Sequence, residues 1–86
     1  MDPHEVILYP LMGEKATMLR EKENKLSFII SLKSTKKDAK AAIESLYNVK
    51  VLKVQVVLTT QGQKKIYARL SPEFSAEEIA SHFGVL

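Results

Sequence analysis

The chain has 86 residues, 45% hydrophobic and 27% charged, with 13 basic side chains against 10 acidic and neither cysteine nor tryptophan. A chain of that length makes one domain, residues 1–86, with a thin core, because it buries only about 60–65% of the surface its unfolded form exposes. The balance excludes a disordered chain, a disulfide framework and a thiolate metal site, while the lack of a long apolar run or of a basic-then-apolar start speaks against membrane insertion and a secretory signal.

Val6-Ile7-Leu8-Tyr9 reads as a short strand stopped by Pro10. Gly13 then opens a helix over Glu14–Glu23 as a cap without a side chain, and Asn24 is its stop. From Lys25 to Leu32 the pattern alternates: Leu26, Phe28, Ile30 and Leu32 point one way and Lys25, Ser27 and Ser31 the other, as in a half-buried strand. Thr35-Lys36-Lys37-Asp38 is a capping box, and the helix after it carries Ala39, Ala42, Ile43, Leu46 and Tyr47 on one stripe.

Val49–Thr60 is rich in β-branched residues and reads as a long strand, with Leu52, Val54, Val56 and Leu58 on one face. Val51 breaks that phase, which predicts a bulge or a late start of the strand. Thr60-Gln61-Gly62-Gln63 is a turn in which Gly62 supplies a positive φ. Lys64–Leu70 returns as a strand, with Ile66, Ala68 and Leu70 opposite Lys65, Tyr67 and Arg69. After Pro72, Ser75 and Glu78 form a second capping box, Phe74 and Ile79 a hydrophobic staple, and the helix runs to about Phe83 with Gly84 past its end.

The order strand, helix, strand, helix, strand, strand, helix predicts an α+β fold. It is a small sandwich with a mostly antiparallel four-stranded sheet packed on helices. The pattern leaves the strand order open.

The charge is unevenly placed. Residues 24–70 hold ten basic and two acidic side chains, the first 23 residues three basic and five acidic, and the last 16 no basic and three acidic. A basic centre between acidic ends is the footprint of a polyanion-binding surface, or of a merely solvated one. The outward face of the final hairpin sets Lys53 and Gln55 opposite Lys65, Tyr67 and Arg69. Cations interleaved with an aromatic suit RNA, though lysines also guard edge strands against aggregation. Lys33, Lys36, Lys37 and Lys40 gather at a helix N-terminus, where free amides attract phosphate and where lysine disfavours the helix itself. Gly62 with Lys64 and Lys65 makes a basic tip.

Enzyme chemistry finds no support. His4 and His82 lack partners spaced for a metal or a triad, Glu77 and Glu78 are first-turn acids, and there is no GxGxxG, P-loop or HExxH. No cofactor is expected.

Along nearly its whole length the chain resembles the universal L-twenty-three family of large-ribosomal-subunit proteins. Glu14-Lys15-Ala16 is similar to the family's Ser/Thr-Glu-Lys-Ala helix start, and Glu23-Asn24-Lys25-Leu26-Ser27-Phe28 to its Asn-x-Tyr/Thr-x-Phe strand. Thr35 to Glu44 resembles its Lys-x-Asp/Glu-Ile-Lys-x-Ala-Ile-Glu helix. Val49-Lys50-Val51, then Gly62, Lys64-Lys65 and Arg69-Leu70, follow where its last hairpin stands. Gly13 replaces the usual Ser or Thr cap, Ala39 and Ala68 replace larger aliphatics and imply a thinner core, and the hairpin turn is short, as in archaeal or eukaryotic members.

The resemblance implies a cytoplasmic, non-catalytic constituent of the large subunit that binds the third domain of large-subunit rRNA at the rim of the polypeptide exit tunnel. It implies neighbouring ribosomal proteins as partners, and a share in the docking platform for nascent-chain factors, the signal recognition particle and the translocon. Carried over by position, the RNA contacts are Lys15, Asn24, Lys33, Lys36, Lys37, Lys40, Gly62, Lys64, Lys65 and Arg69, and Glu14 matches a factor-docking position. Tyr67 joins the RNA set from the interleaved face. The short turn speaks against a tunnel-lining role, and the acidic ends are expected to face away from RNA. A small adaptor whose basic face meets an acidic protein is the alternative from the charge pattern alone.

Overall fold

The structure, a computed structural model, describes residues 2–83. Its elements run α1 (Pro3–Val6), β1 (Ile7–Pro10), α2 (Glu14–Glu23), β2 (Lys25–Ile30), α3 (Lys36–Tyr47), β3 (Val51–Leu58), β4 (Lys64–Leu70) and α4 (Ala76–Ala80). The strands form one sheet in the order β1-β2-β4-β3, with every neighbouring pair antiparallel. The expected α+β architecture is present, and β4, last in sequence, lies inside the sheet.

Local chemistry sets most boundaries. Asp2 Oδ1 accepts from the His4 N–H at 2.8 Å and Pro3 takes the first helical position, which makes the short turn α1. The sequence pattern began a strand at Val6 instead; Val6 ends α1 and is buried in the core. In α3 the capping box closes both ways: Asp38 N–H donates to Thr35 Oγ1 at 3.1 Å, and Thr35 N–H donates to Asp38 Oδ2 at 2.9 Å. Ala39, Ala42 and Ile43 are buried on its stripe, with Leu46 and Tyr47 half-buried. Helix α4 begins where Ser75 Oγ accepts from the Glu78 N–H. It stops at Ala80, short of the expected Phe83, because His82 and Phe83 donate to the carbonyls of Ile79 and Ala80 in tighter three-residue turns. The expected C-terminal glycine, Gly84, lies outside the described residues.

Two strand expectations are corrected. Strand β2 ends at Ile30, Leu32 is 63% exposed, and Ser27 and Ile29 are buried along with Leu26, Phe28 and Ile30. The strand is not half-buried because it has a neighbour on each edge and helical cover on each side: α4 reaches it with the main core, while α2 lies against its Ser27 side. Strand β3 is shorter than Val49–Thr60. The bulge falls between Val51 and Lys53, so Leu52 is left without a partner and is exposed, while Val51 and Val54 both reach the core. Leu58, at the end of this edge strand, is 68% exposed.

The core cluster joins β2, β3 and β4 to α1, α3 and α4, and Phe28, Tyr47 and Phe83 form an aromatic triangle with ring centres 5.4–5.8 Å apart. Ala39 and Ala68 are fully buried. Two polar contacts set the joints. Glu44 Oε2 accepts from the Val51 N–H at 2.9 Å and so positions the start of β3. Asn24, at φ 55°, ends α2. Its Oδ1 accepts from the Ala76 N–H at 2.7 Å, and its Nδ2 donates to the Phe74 carbonyl at 2.9 Å. Its backbone carbonyl accepts from the Leu70 N–H.

Replacing Asn24 by Ala should lower stability in denaturant unfolding by about 2–4 kcal/mol, from partly buried groups left unpaired and the left-handed backbone. Asn24→Gly should recover about 1 kcal/mol of that, the share owed to φ alone; equal losses would assign the whole effect to the amide. The Thr35 N–H and hydroxyl hold the Asp38 carboxyl below its ordinary value of 3.8. A lowered carboxylate adds stability above the unfolded value that is lost as pH falls through the folded one. The gap in denaturant midpoint between the wild type and Asp38→Asn should therefore hold from neutral pH to about 4 and close below it; a gap persisting at lower pH would mean the charge plays no part.

Candidate nucleic-acid interface

Strand β4 displays the cations. Alternation turns Ile66, Ala68 and Leu70 into the core and Lys65, Tyr67 and Arg69 to the other side. In register, Arg69 lies between Lys25 on β2 and Lys53 on β3, and Tyr67 lies between Ser27 and Gln55. Three cations thus run side by side across the sheet, an arrangement in which neighbouring like charges disfavour the fold. Among the described residues only one of them forms an ion pair: Lys25 Nζ is 2.9 Å from Glu23 Oε1, and that contact holds the Glu23 carboxyl below its usual range. Because β4 is an interior strand, Lys65 and Arg69 guard no edge. The aggregation-guard explanation fits only Lys53, on the edge strand β3.

Tyr67 is the focus of this face. Lys65 Nζ is 5.3 Å and Lys15 Nζ 5.7 Å from its ring centre, within cation–π reach. Lys15 arrives from the first turn of α2. Burial pushes the phenol up, but hydrogen bonding to and the charge of Lys65, then of Lys15, outweigh it, and the net shift is downward.

A second group lies on the α3 side. Lys36, Lys37 and Lys40 line an open groove of about 360 Å³ with Leu52, Lys53 and Val54. Lys53 belongs to this groove and to the row with Arg69, so the basic surface passes around the β3 edge without a break. Lys33 stands exposed in the loop before α3, and Lys64 Nζ donates to the Ser34 carbonyl of that loop. The two lysines after the turn therefore part company: Lys64 joins the α3 group and Lys65 the Tyr67 group. Gly62, at φ 80°, forms the tip they flank.

Two carried-over residues fall elsewhere. The Asn24 amide is consumed inside the protein, so its place is structural. Glu14 is exposed in the first turn of α2, next to Lys15. Nearby, Arg20 Nε meets Glu77 Oε1 at 3.2 Å and ties α2 to α4. Ser27 and Leu11 line a cavity beside Tyr67 that the charge pattern does not mark. A lone serine among apolar residues of β2, on the Tyr67 side, was the available signal. Among the described residues no group of three or more His, Cys, Asp or Glu could hold a metal ion, and no helix is long and apolar enough to cross a membrane.

The family model described as ribosomal protein L23 matches residues 5–76. The chain is 46% identical over 85 residues to the large ribosomal subunit protein uL23 of Methanothermobacter thermautotrophicus, covering 99% of each chain. It is 42% identical over 85 residues, again 99% of each, to the protein of the same description from Methanococcus vannielii.

A phenol titration should find Tyr67 ionising below the ordinary 10 and Tyr47, which burial pushes up, above it. Lys15→Met and Lys65→Met should each raise the Tyr67 value, since each removes a cation that favours the phenolate. A Tyr67 value indifferent to both would break the cluster apart.

Proposed function

The chain belongs to the ribosomal protein L23 family, and on that premise we propose that it anchors itself to large-subunit rRNA through the basic surface that wraps β3 and β4. The family is a structural, non-enzymatic component of the large ribosomal subunit, a cytoplasmic particle whose RNA and proteins are its neighbours. The observation that carries the reading is the row Lys25–Arg69–Lys53 beside the Tyr67 cluster on sheet strands of which β4 is interior. Like charges gathered at a cost to the fold are explained by a polyanion that neutralises them.

The mechanism is electrostatic and shape-based. Lysines on both faces of the hairpin neutralise phosphates and release counterions, while the bulged edge and the α3 groove match an RNA surface rather than a base sequence. Lys33, Lys36, Lys37, Lys40 and Lys64 serve one flank, and Lys15, Lys65, Tyr67 and Arg69 the other, with Gly62 between them. Asn24 enters this set as the residue that positions α2, not through its own amide.

The finer placement follows the resemblance: the third domain of the rRNA, at the rim of the exit tunnel. Glu14 and the acidic ends would face outward there, toward nascent-chain factors, the signal recognition particle and the translocon. The short turn at Gly62 suits the rim rather than the tunnel wall.

The test is a salt titration of binding to a third-domain rRNA fragment and to a scrambled RNA of equal length. Preference for the fragment at physiological salt is expected. Equal binding, lost together as salt rises, would reduce the surface to a generic basic face and favour an acidic protein partner. Lys64→Glu with Lys65→Glu should weaken fragment binding without unfolding the chain. Each phosphate contact removed should flatten the log–log salt slope by about 0.7–0.9; unchanged affinity would remove the hairpin from the interface.

A further inference from the structure

Beside Tyr67 lies a cavity of about 180 Å³ that phosphate neutralisation does not explain. Leu11, Ala16 and the Tyr67 ring give it mainly apolar walls, and Lys15 and Lys65 also border it. Ser27, also in its lining, is 4% exposed, and its Oγ has no hydrogen-bond partner among the described residues. A buried hydroxyl without a partner disfavours the free protein and calls for an explanation. The segment over it is held in place, since the Leu11 N–H donates to the Ser27 carbonyl at 2.9 Å. Gly13, also at the cavity, is the N-cap of the ten-residue α2 and brings no side chain to its first amides.

We infer that this cavity receives the base of one unpaired RNA nucleotide, with the adjoining phosphate held by Lys15 and Lys65 at the uncapped start of α2. The inference rests on the rRNA-anchor reading and deepens it. Size is the first argument: the volume is below that of sites for drug-sized ligands and suits one heteroaromatic ring. Polarity is the second. A bare phosphate would lose its hydration against Leu11 and Ala16, whereas a flat base gains by leaving water and by contact with the Tyr67 ring. Ser27 is the third, because a hydroxyl both donates and accepts and so can meet a base edge of either polarity. Lys15, Lys65 and the Gly13 start of α2 all border the cavity, so a sugar–phosphate leaving it would meet two cations and a helix N-terminus. A paired base cannot enter, so the nucleotide must be splayed from its helix.

The experiment titrates isotope-labelled full chain with uridine and adenosine 5′-monophosphates, the two nucleosides and inorganic phosphate, reading the resonances of Ala16, Ser27 and Tyr67. The monophosphates should move them saturably and bind about tenfold or more tightly than phosphate or nucleoside alone. Ser27→Ala should weaken monophosphate binding about five- to tenfold, the loss of one hydrogen bond, without lowering the unfolding midpoint. Inorganic phosphate reproducing both shifts and affinity would leave only an anion site and overturn the inference, as would monophosphates that leave Ser27 unmoved. In a parallel arm with large-subunit rRNA, binding with these resonances unmoved removes the base pocket and leaves the anchor. Absence of rRNA binding removes the anchor reading itself.

Discussion

The amide of Asn24 is the joint on which this small fold turns. In the left-handed region it ends α2, and the very next residue starts β2, so helix and strand fold back on each other with no loop between them. Its side chain holds the Phe74 carbonyl and the Ala76 N–H, and its carbonyl holds the Leu70 N–H, which fixes the end of β4 and the start of α4 to the same point. The Arg20–Glu77 pair repeats the tie one turn away. With the C-terminal end of α2 pinned, its other end falls over Ser27 and Tyr67. That is how Lys15 reaches a ring 52 residues on in the chain. A domain this thin has little apolar area to spare, so a few satisfied polar joints do what a larger core would do elsewhere.

Burial and charge are divided strand by strand. β2 takes the buried role, covered on both sides and flanked on both edges. β4 is divided between its faces: Ile66, Ala68 and Leu70 complete the core, and Lys65, Tyr67 and Arg69 face away from it. An interior strand holds its backbone rigidly by ladder bonds on both edges. Cations mounted there are displayed on a stiff plate. The α3 lysines differ, since they crowd the positive end of a helix whose capping box satisfies the Thr35 and Asp38 amides. Both arrangements cost the isolated protein something and become favourable against a polyanion.

The bulge at Leu52 connects the two. The regular ladder sets Lys53 opposite Arg69, and one extra residue beyond it keeps both Val51 and Val54 in the core, while Leu52 is left exposed in the α3 groove. Without it, the phase that buries Val54 would bury Leu52 as well, and Val51 would lie on the wrong face. The cost of one exposed leucine goes with a basic surface continuous around the edge.

Much of this was legible in the chain itself, wherever a short stretch carries its own instruction. Glycine before Glu14, the Thr35–Asp38 box, the alternation of Lys64–Leu70 and the turn glycine Gly62 each specify local geometry from neighbours in sequence, and the structure agrees with each. The phase break at Val51 marks an irregularity that is a bulge or a late strand start by sequence, and the structure has the strand begin at Val51 with a bulge just after it. The family too was readable, because ordered landmarks survive as residues. What tertiary structure alone decided is anything set by which elements become neighbours. Strand order placed β4 inside and so separated Lys65 and Arg69 from the edge, where only Lys53 stands. Cover on both sides buried Ser27 and Ile29, which alternation could not foresee. Alternation already set Lys64 and Lys65 on opposite faces, but the neighbours that put them in different clusters, the Ser34 carbonyl and the Tyr67 ring, came from the fold. Asn24, read as a contact, became a clamp because the groups it bonds lie about fifty residues away, where no local pattern reaches.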